Sequence, residues 1–190
     1  MLSKSCRCTC VIFIVVRNII KQILREEVTK SLTLKGKIVF DPDNVTRKHN
    51  KQKDWKRVAM VTFDGEMTEY YSWFIERRYG LKLNRPLRGA HVTFVNDSIR
   101  DIKGGDEVWE EVRKRWEGKE IDVILNLDVR TNSEHWWMKA DETPEFWQIR
   151  GELGLGRPFW GLHMTVGYAN DRNIEHSKYI HGLIQKGLAN

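Results

Sequence analysis

Cysteine does not occur after residue 10, and the three present, Cys6, Cys8 and Cys10, crowd into "CRCTC". Their alternating spacing suits neither a zinc ribbon nor the paired framework of a small secreted scaffold, and it implies a reducing, cytosolic setting. Long apolar runs are missing as well. The best candidate, "CVIFIVV" at residues 10–16, is stopped by Arg17, far short of the roughly 20 residues a bilayer span needs. Lys4 and Arg7 precede the run as they would in a signal peptide, but no small-residue cleavage pattern follows. No stable membrane insertion is expected. Neither HExxH nor His-x-His occurs, so the common close spacings of metal ligands are lacking and no metal or other cofactor is expected. Hydrophobic residues, at 41%, are on the low side for a globular chain.

What is present points to one ordinary domain. The 190 residues can bury a real core, and eight tryptophans supply large apolar areas toward it. The formal charge of +6 favours an anionic partner such as a nucleic acid, a nucleotide or a membrane surface. The most basic run, "TRKHNKQKDWKR" at residues 46–57, reads as a binding patch or a solvated loop. Ile19, Ile20, Ile23 and Leu24 recur at helical spacing. Residues 1–35 are therefore taken as an extension, either an amphipathic helix or the product of a start assigned too far upstream, and residues 36–190 as the functional domain.

From residue 37 onward short apolar strands alternate with helices. "RVAMVTF" (57–63) is a β-type run, and "MTEYYSWFIERRYG" (67–80) is a helix with Tyr70, Phe74 and Ile75 on one stripe, Thr68 as N-cap and Gly80 as stop. "AHVTFV" (90–95) is the next strand. "DEVWEEVRKRWEGK" places Val108, Trp109, Val112 and Trp116 on one helical face and closes at Gly118. "EIDVILNLDVR" and "EHWWMKA" read as strands joined by the turn "TNS". A helix with Thr143 as N-cap and Pro144 at its first position follows, ending at Gly154. "GLHMTVGYA" (161–169) is a strand, and the tail from Asn173 is a helix.

Two of these strands share one pattern. "GAHVTFV" and "GLHMTVG" each run glycine, apolar, His, apolar, Thr, apolar, with the histidines 72 residues apart (163 minus 91), as an internal duplication would leave them. Side chains alternate along a strand, so His91 and Thr93 share a face, as do His163 and Thr165. Brought side by side by a pseudo-twofold axis, the two strands would converge two imidazoles and two hydroxyls on one cleft. With ordinary pKa values near 6.5, one histidine can act as base while the other acts as acid near neutral pH, each role contributing roughly 10²–10⁴ in rate. The hydroxyls can donate to non-bridging phosphate oxygens. This equipment suits cleavage of an RNA-type phosphodiester through the adjacent 2′-OH. None of His49, His135, His176 and His181 has Ser or Thr two residues on.

Paired His-x-[Ser/Thr] strands resemble the two-histidine (2H) phosphoesterase superfamily. More closely, "YYSWFIERRYGLKLNRPLRGAHVTFVND" and "ELGLGRPFWGLHMTVGYAND" are similar to the bacteriophage anti-CBASS nucleases, over roughly residues 37–170. The resemblance implies an α+β, two-lobed fold: a pseudo-twofold pair of antiparallel β-sheets flanked by helices, with a central cleft. It implies His91 and His163 as catalytic histidines and Thr93 and Thr165 as phosphate-binding hydroxyls. The implied activity is metal-independent hydrolysis of the 3′–5′ bonds of cyclic di- and trinucleotide alarm signals in the infected host's cytosol. The base contacts such enzymes make near the carboxyl terminus find no match in "HSKYIHGLIQKGLAN".

Three further residues are candidates for substrate contact. Arg88, three residues before His91, could attract phosphate together with Arg85, both having solvated-loop roles as the alternative. Of the adjacent Trp136 and Trp137, one must face the core and the other face away, where it could stack on a base. Trp160 stands just ahead of "GLH" and could flank the cleft; for each tryptophan core packing is the alternative. The expected partner is a cyclic oligonucleotide or a short RNA, with no obligate protein partner. The rival readings are an RNA-processing enzyme that opens 2′,3′-cyclic phosphates and a non-catalytic nucleotide sponge.

Overall fold

The computed structural model describes residues 30–43, 57–64, 66–97, 101–158 and 160–189. The amphipathic segment expected before residue 30, and the basic run apart from Arg57, lie outside the described residues. The elements are β1 (Ser31–Phe40), β2 (Ala59–Thr62), α1 (Glu66–Tyr79), β3 (His91–Val95) and α2 (Gly105–Trp116). They continue as β4 (Glu120–Thr131), β5 (His135–Ala140), α3 (Pro144–Glu152), β6 (His163–Tyr168) and α4 (Ile174–Gln185). The molecule is α+β, and its element order is one unit, strand–strand–helix–strand–helix, run through twice.

β1 begins at Ser31, upstream of the boundary placed at residue 36. Its Leu32, Leu34, Gly36, Ile38 and Phe40 alternate with exposed Thr33, Lys35 and Lys37, the pattern of a strand buried on one face. The strands are antiparallel neighbours in the order β1-β2-β3-β6-β5-β4 and close into a barrel. The pair of antiparallel sheets expected from the sequence is instead one closed ring, with β1-β2-β3 as one half and β6-β5-β4 as the other. A free edge on each half would leave a row of unpaired N–H and C=O groups, and ring closure removes both edges. The two closing seams differ in extent. β1 and β4 pair from Ser31↔Asn126 through Lys37↔Glu120, whereas among the described residues β3 and β6 register only at Val92↔Met164.

Apolar side chains take one face of the strands: Ile38, Val61, Val92, Met138 and Met164 are all fully buried. The helices pack on that face. Trp109 of α2 meets Phe40 edge-on at 5.1 Å, and Phe146 of α3 stacks on Phe94 at 4.7 Å. Tyr79 of α1 lies 5.9 Å from Trp136, whose indole Nε1 donates to Ser177 Oγ of α4 at 3.0 Å. Each such large side chain removed from water contributes about 1.5–3 kcal/mol. The alternate positions of the strands, His91, Thr93, His163 and Thr165 among them, point to the opposite face.

Helix signals fared unevenly. Trp109, Val112 and Trp116 are the buried residues of α2, and the Thr143 hydroxyl caps α3 by accepting from Phe146 N at 3.4 Å with Pro144 in the first turn. In α1, however, the helix begins at Glu66, so Thr68 lies within it and is 3% exposed rather than serving as N-cap. Starting there, the buried stripe is Thr68, Tyr71 and Ile75, at i, i+3 and i+7, and Tyr70 and Phe74 are only partly covered at its side.

Candidate active site

The register across the β3/β6 seam builds the site. Because Val92 pairs with Met164 in antiparallel strands, His91 lies opposite Thr165 and Thr93 lies opposite His163. The four polar side chains therefore form a square on the face away from the helices. A pseudo-twofold through the Val92/Met164 pair exchanges the two His-x-Thr halves. His91, Thr93 and Thr165 are half-buried and His163 is exposed.

Each imidazole is held the same way. His91 Nδ1 lies 3.0 Å from the carbonyl oxygen of Gly89, and His163 Nδ1 lies 2.8 Å from that of Gly161. A carbonyl can only accept, so Nδ1 carries the hydrogen in both rings, and in the neutral imidazole the basic lone pair is placed on Nε2. The glycine two residues before each histidine is the third element of the repeated motif. Gly89 takes φ +65°, a conformation costly for a residue with a Cβ.

Each strand is also bulged at the same place. β2 pairs Met60 with Thr93 but Ala59 with Val95, leaving Phe94 as the extra residue of β3. β5 pairs Trp137 with Thr165 but Trp136 with Gly167, leaving Val166 as the extra residue of β6. Both bulges follow the threonine directly, and bulges of this kind bend the strand and re-aim the side chains beside them. Their carbonyls are taken by helices from the other half of the chain. Arg150 of α3 donates from an Nη to Phe94 O at 2.8 Å, and Ser72 Oγ of α1 donates to Val166 O at 3.2 Å. The 2%-exposed Arg150 also pairs through two nitrogens with Asp97, at 2.8 and 3.1 Å, and donates from Nε to Gly156 O at 2.7 Å. Both site strands are thereby tied to both halves.

The other candidates divide. Trp137 is the register partner of Thr165, its ring lies 6.3 Å from that of His163, and it is half-buried on the site face while Trp136 is 1% exposed in the core. Arg88 is turned to the end of β1, donating to Pro42 O at 3.1 Å. Burial pulls the Arg88 guanidinium below its ordinary pKa, with Asp43 opposing the shift. Arg85 forms an exposed ion pair with Glu69 at 2.7 Å. Trp160, next to the glycine that holds His163, is 73% exposed.

Sequence reasoning passed over Tyr168. Burial raises the pKa of its phenol, opposed by a hydrogen bond to the Thr165 side chain, and its ring meets that of His135 edge-on at 5.1 Å. Its place in "HMTVGY", three residues after the threonine, is a signal visible only once the bulge at Val166 is known. Among the described residues no three His, Cys, Asp or Glu side chains gather as metal ligands would, and no helix is long and apolar enough to cross a membrane. No protein-family model, no curated protein and no solved structure matches the chain.

Proposed function

We propose that the chain is a two-histidine phosphodiesterase that cleaves 3′–5′ bonds of cyclic di- and trinucleotide immune signals. The observation that carries this reading is the diagonal pair of histidines across the β3/β6 seam, each held at Nδ1 by a glycine carbonyl, which leaves the basic lone pair of the neutral ring on Nε2. The two halves of the barrel act as the two lobes, and the scissile phosphate takes the centre of the square. One imidazole accepts the proton of the ribose 2′-OH, O2′ forms a bond to phosphorus, and the P–O5′ bond breaks as the other imidazole gives its proton to O5′. The product is a 2′,3′-cyclic phosphate, which water opens with the two roles exchanged. Thr93 and Thr165 donate to the non-bridging oxygens as charge builds on them. The likeness of residues 37–170 to the anti-CBASS nucleases supports the choice of cyclic oligonucleotides over other phosphodiesters.

Incubation of the purified protein with 3′3′-cyclic GMP–AMP in excess EDTA is expected to yield linear product. Undiminished conversion by the His91→Ala, His163→Ala double variant would refute the assignment. Turnover confined to RNA ending in a 2′,3′-cyclic phosphate would refute the substrate while leaving the chemistry.

A further inference from the structure

The pseudo-twofold equates β2 with β5 and β1 with β4, yet the neighbours of the two half-sites differ in chemistry. Beside His91 stands Thr62, whereas beside His163 stands Lys139. Beside Thr93 the row runs outward through Met60 to Val39. Beside Thr165 the corresponding row runs through Trp137 to Arg130. Register partners on neighbouring strands project to the same face, so Arg130, Trp137 and Lys139 share the face of the catalytic square.

Both cations are exposed, and neither makes an ion pair with another described residue. On the opposite side the nearest cation, Lys37, faces Glu120 across the β1/β4 seam. The scissile phosphate lies on the pseudo-axis, so the rest of the substrate must lean to one side, and among the described residues in register with the square only the β5 side offers an unpaired charge and an aromatic ring together.

Resting on the function proposed above, we infer that Arg130 and Lys139 form a subsite for a second phosphate, with Trp137 between them as a platform for a base. The preferred substrate is then a nucleotide with at least two phosphates, laid from the seam across β5 toward β4. A compact cyclic dinucleotide has this form, with its second phosphate held close to the first by the ring. A dinucleoside monophosphate supplies only the scissile group and leaves the two cations unused.

The test compares 3′3′-cyclic GMP–AMP with the single-phosphate dinucleotide GpA, on wild type, Arg130→Gln/Lys139→Gln, and the surface variant Lys114→Gln/Lys186→Gln, which removes the same charge elsewhere. In the subsite variant the ratio of kcat/KM for the cyclic substrate to that for GpA is expected to fall by about tenfold or more, chiefly through KM. The surface variant should keep the wild-type ratio. A ratio within about twofold of wild type in the subsite variant, or an equal fall in both variants, overturns the subsite while the phosphodiesterase reading stands. Absence of wild-type turnover on both substrates overturns the two together.

Discussion

Arg150→Met tests whether the clamp on the β3 bulge holds the site strands. The substitution keeps an unbranched side chain of similar reach but deletes the charge and every donor. Lost with it are the bonds to Phe94 O and Gly156 O and the paired contact with Asp97. Removing one partner of a buried ion pair costs about 3–5 kcal/mol. The Asp97 side chain is 25% exposed against 2% for Arg150, so its carboxylate can recover water and the lower end, about 3 kcal/mol, applies. For a chain of this size that lowers Tm by about 6–12 °C. Thermal melts followed by circular dichroism, with urea titrations for ΔG, would measure it. Adding Asp97→Asn closes a double-mutant cycle, for which a coupling of about 1–3 kcal/mol is expected. A Tm within about 2 °C of wild type, or strictly additive losses in the cycle, would show that the guanidinium is a bystander.

Each histidine alone should matter. His91→Asn and His163→Asn are each expected to lower kcat on cyclic GMP–AMP by about 10²-fold or more, read by chromatography of product, and a variant within tenfold of wild type would contradict its acid–base role. Gly36→Ala places a Cβ 2.3 Å from Val61 Cγ1 and 2.6 Å from Phe63 Cε1, an overpacking expected to destabilise by about 1–3 kcal/mol; an unchanged urea midpoint would mean β1 and β2 are not packed this closely. Tyr168 titrates above its ordinary value of 10.0. Its contribution to stability is therefore fully present below about pH 10 and lost as pH rises through the higher folded value. The stability gap between wild type and Tyr168→Phe should shrink on that alkaline side, and a gap that grows there would reverse the assigned burial effect.

Local signals were legible and closing contacts were not. Trp109, Val112 and Trp116 announce α2 by spacing, and Thr143 with Pro144 announces α3 by capping chemistry, because both depend on residues within a turn or two. The repeated glycine, histidine and threonine marked the site strands for the same reason. β1 escaped in part because Gly36 interrupts its apolar alternation beside a much stronger apolar run at residues 10–16. Ring closure between β1 and β4 rests on pairs some ninety residues apart, such as Leu34↔Val123, which no local pattern encodes. Arg150 looks in sequence like any polar residue of an amphipathic helix, and only the carbonyl exposed by a bulge on another strand gives it a reason to be buried. The bulges also explain why Tyr168 joins the site when simple alternation would send it to the other face.

The seam between β3 and β6 has a consequence for what any activity measures. Each half of the chain supplies its own histidine, its own hydroxyl and its own glycine carbonyl at Nδ1, and yet neither half alone sets one imidazole against another. In the proposed mechanism the catalytic unit is a relationship between two copies of one motif, created at the β3/β6 join, where among the described residues the single pair Val92/Met164 is in register. Under that proposal, a phosphodiesterase rate would also report how much of the population has that join closed.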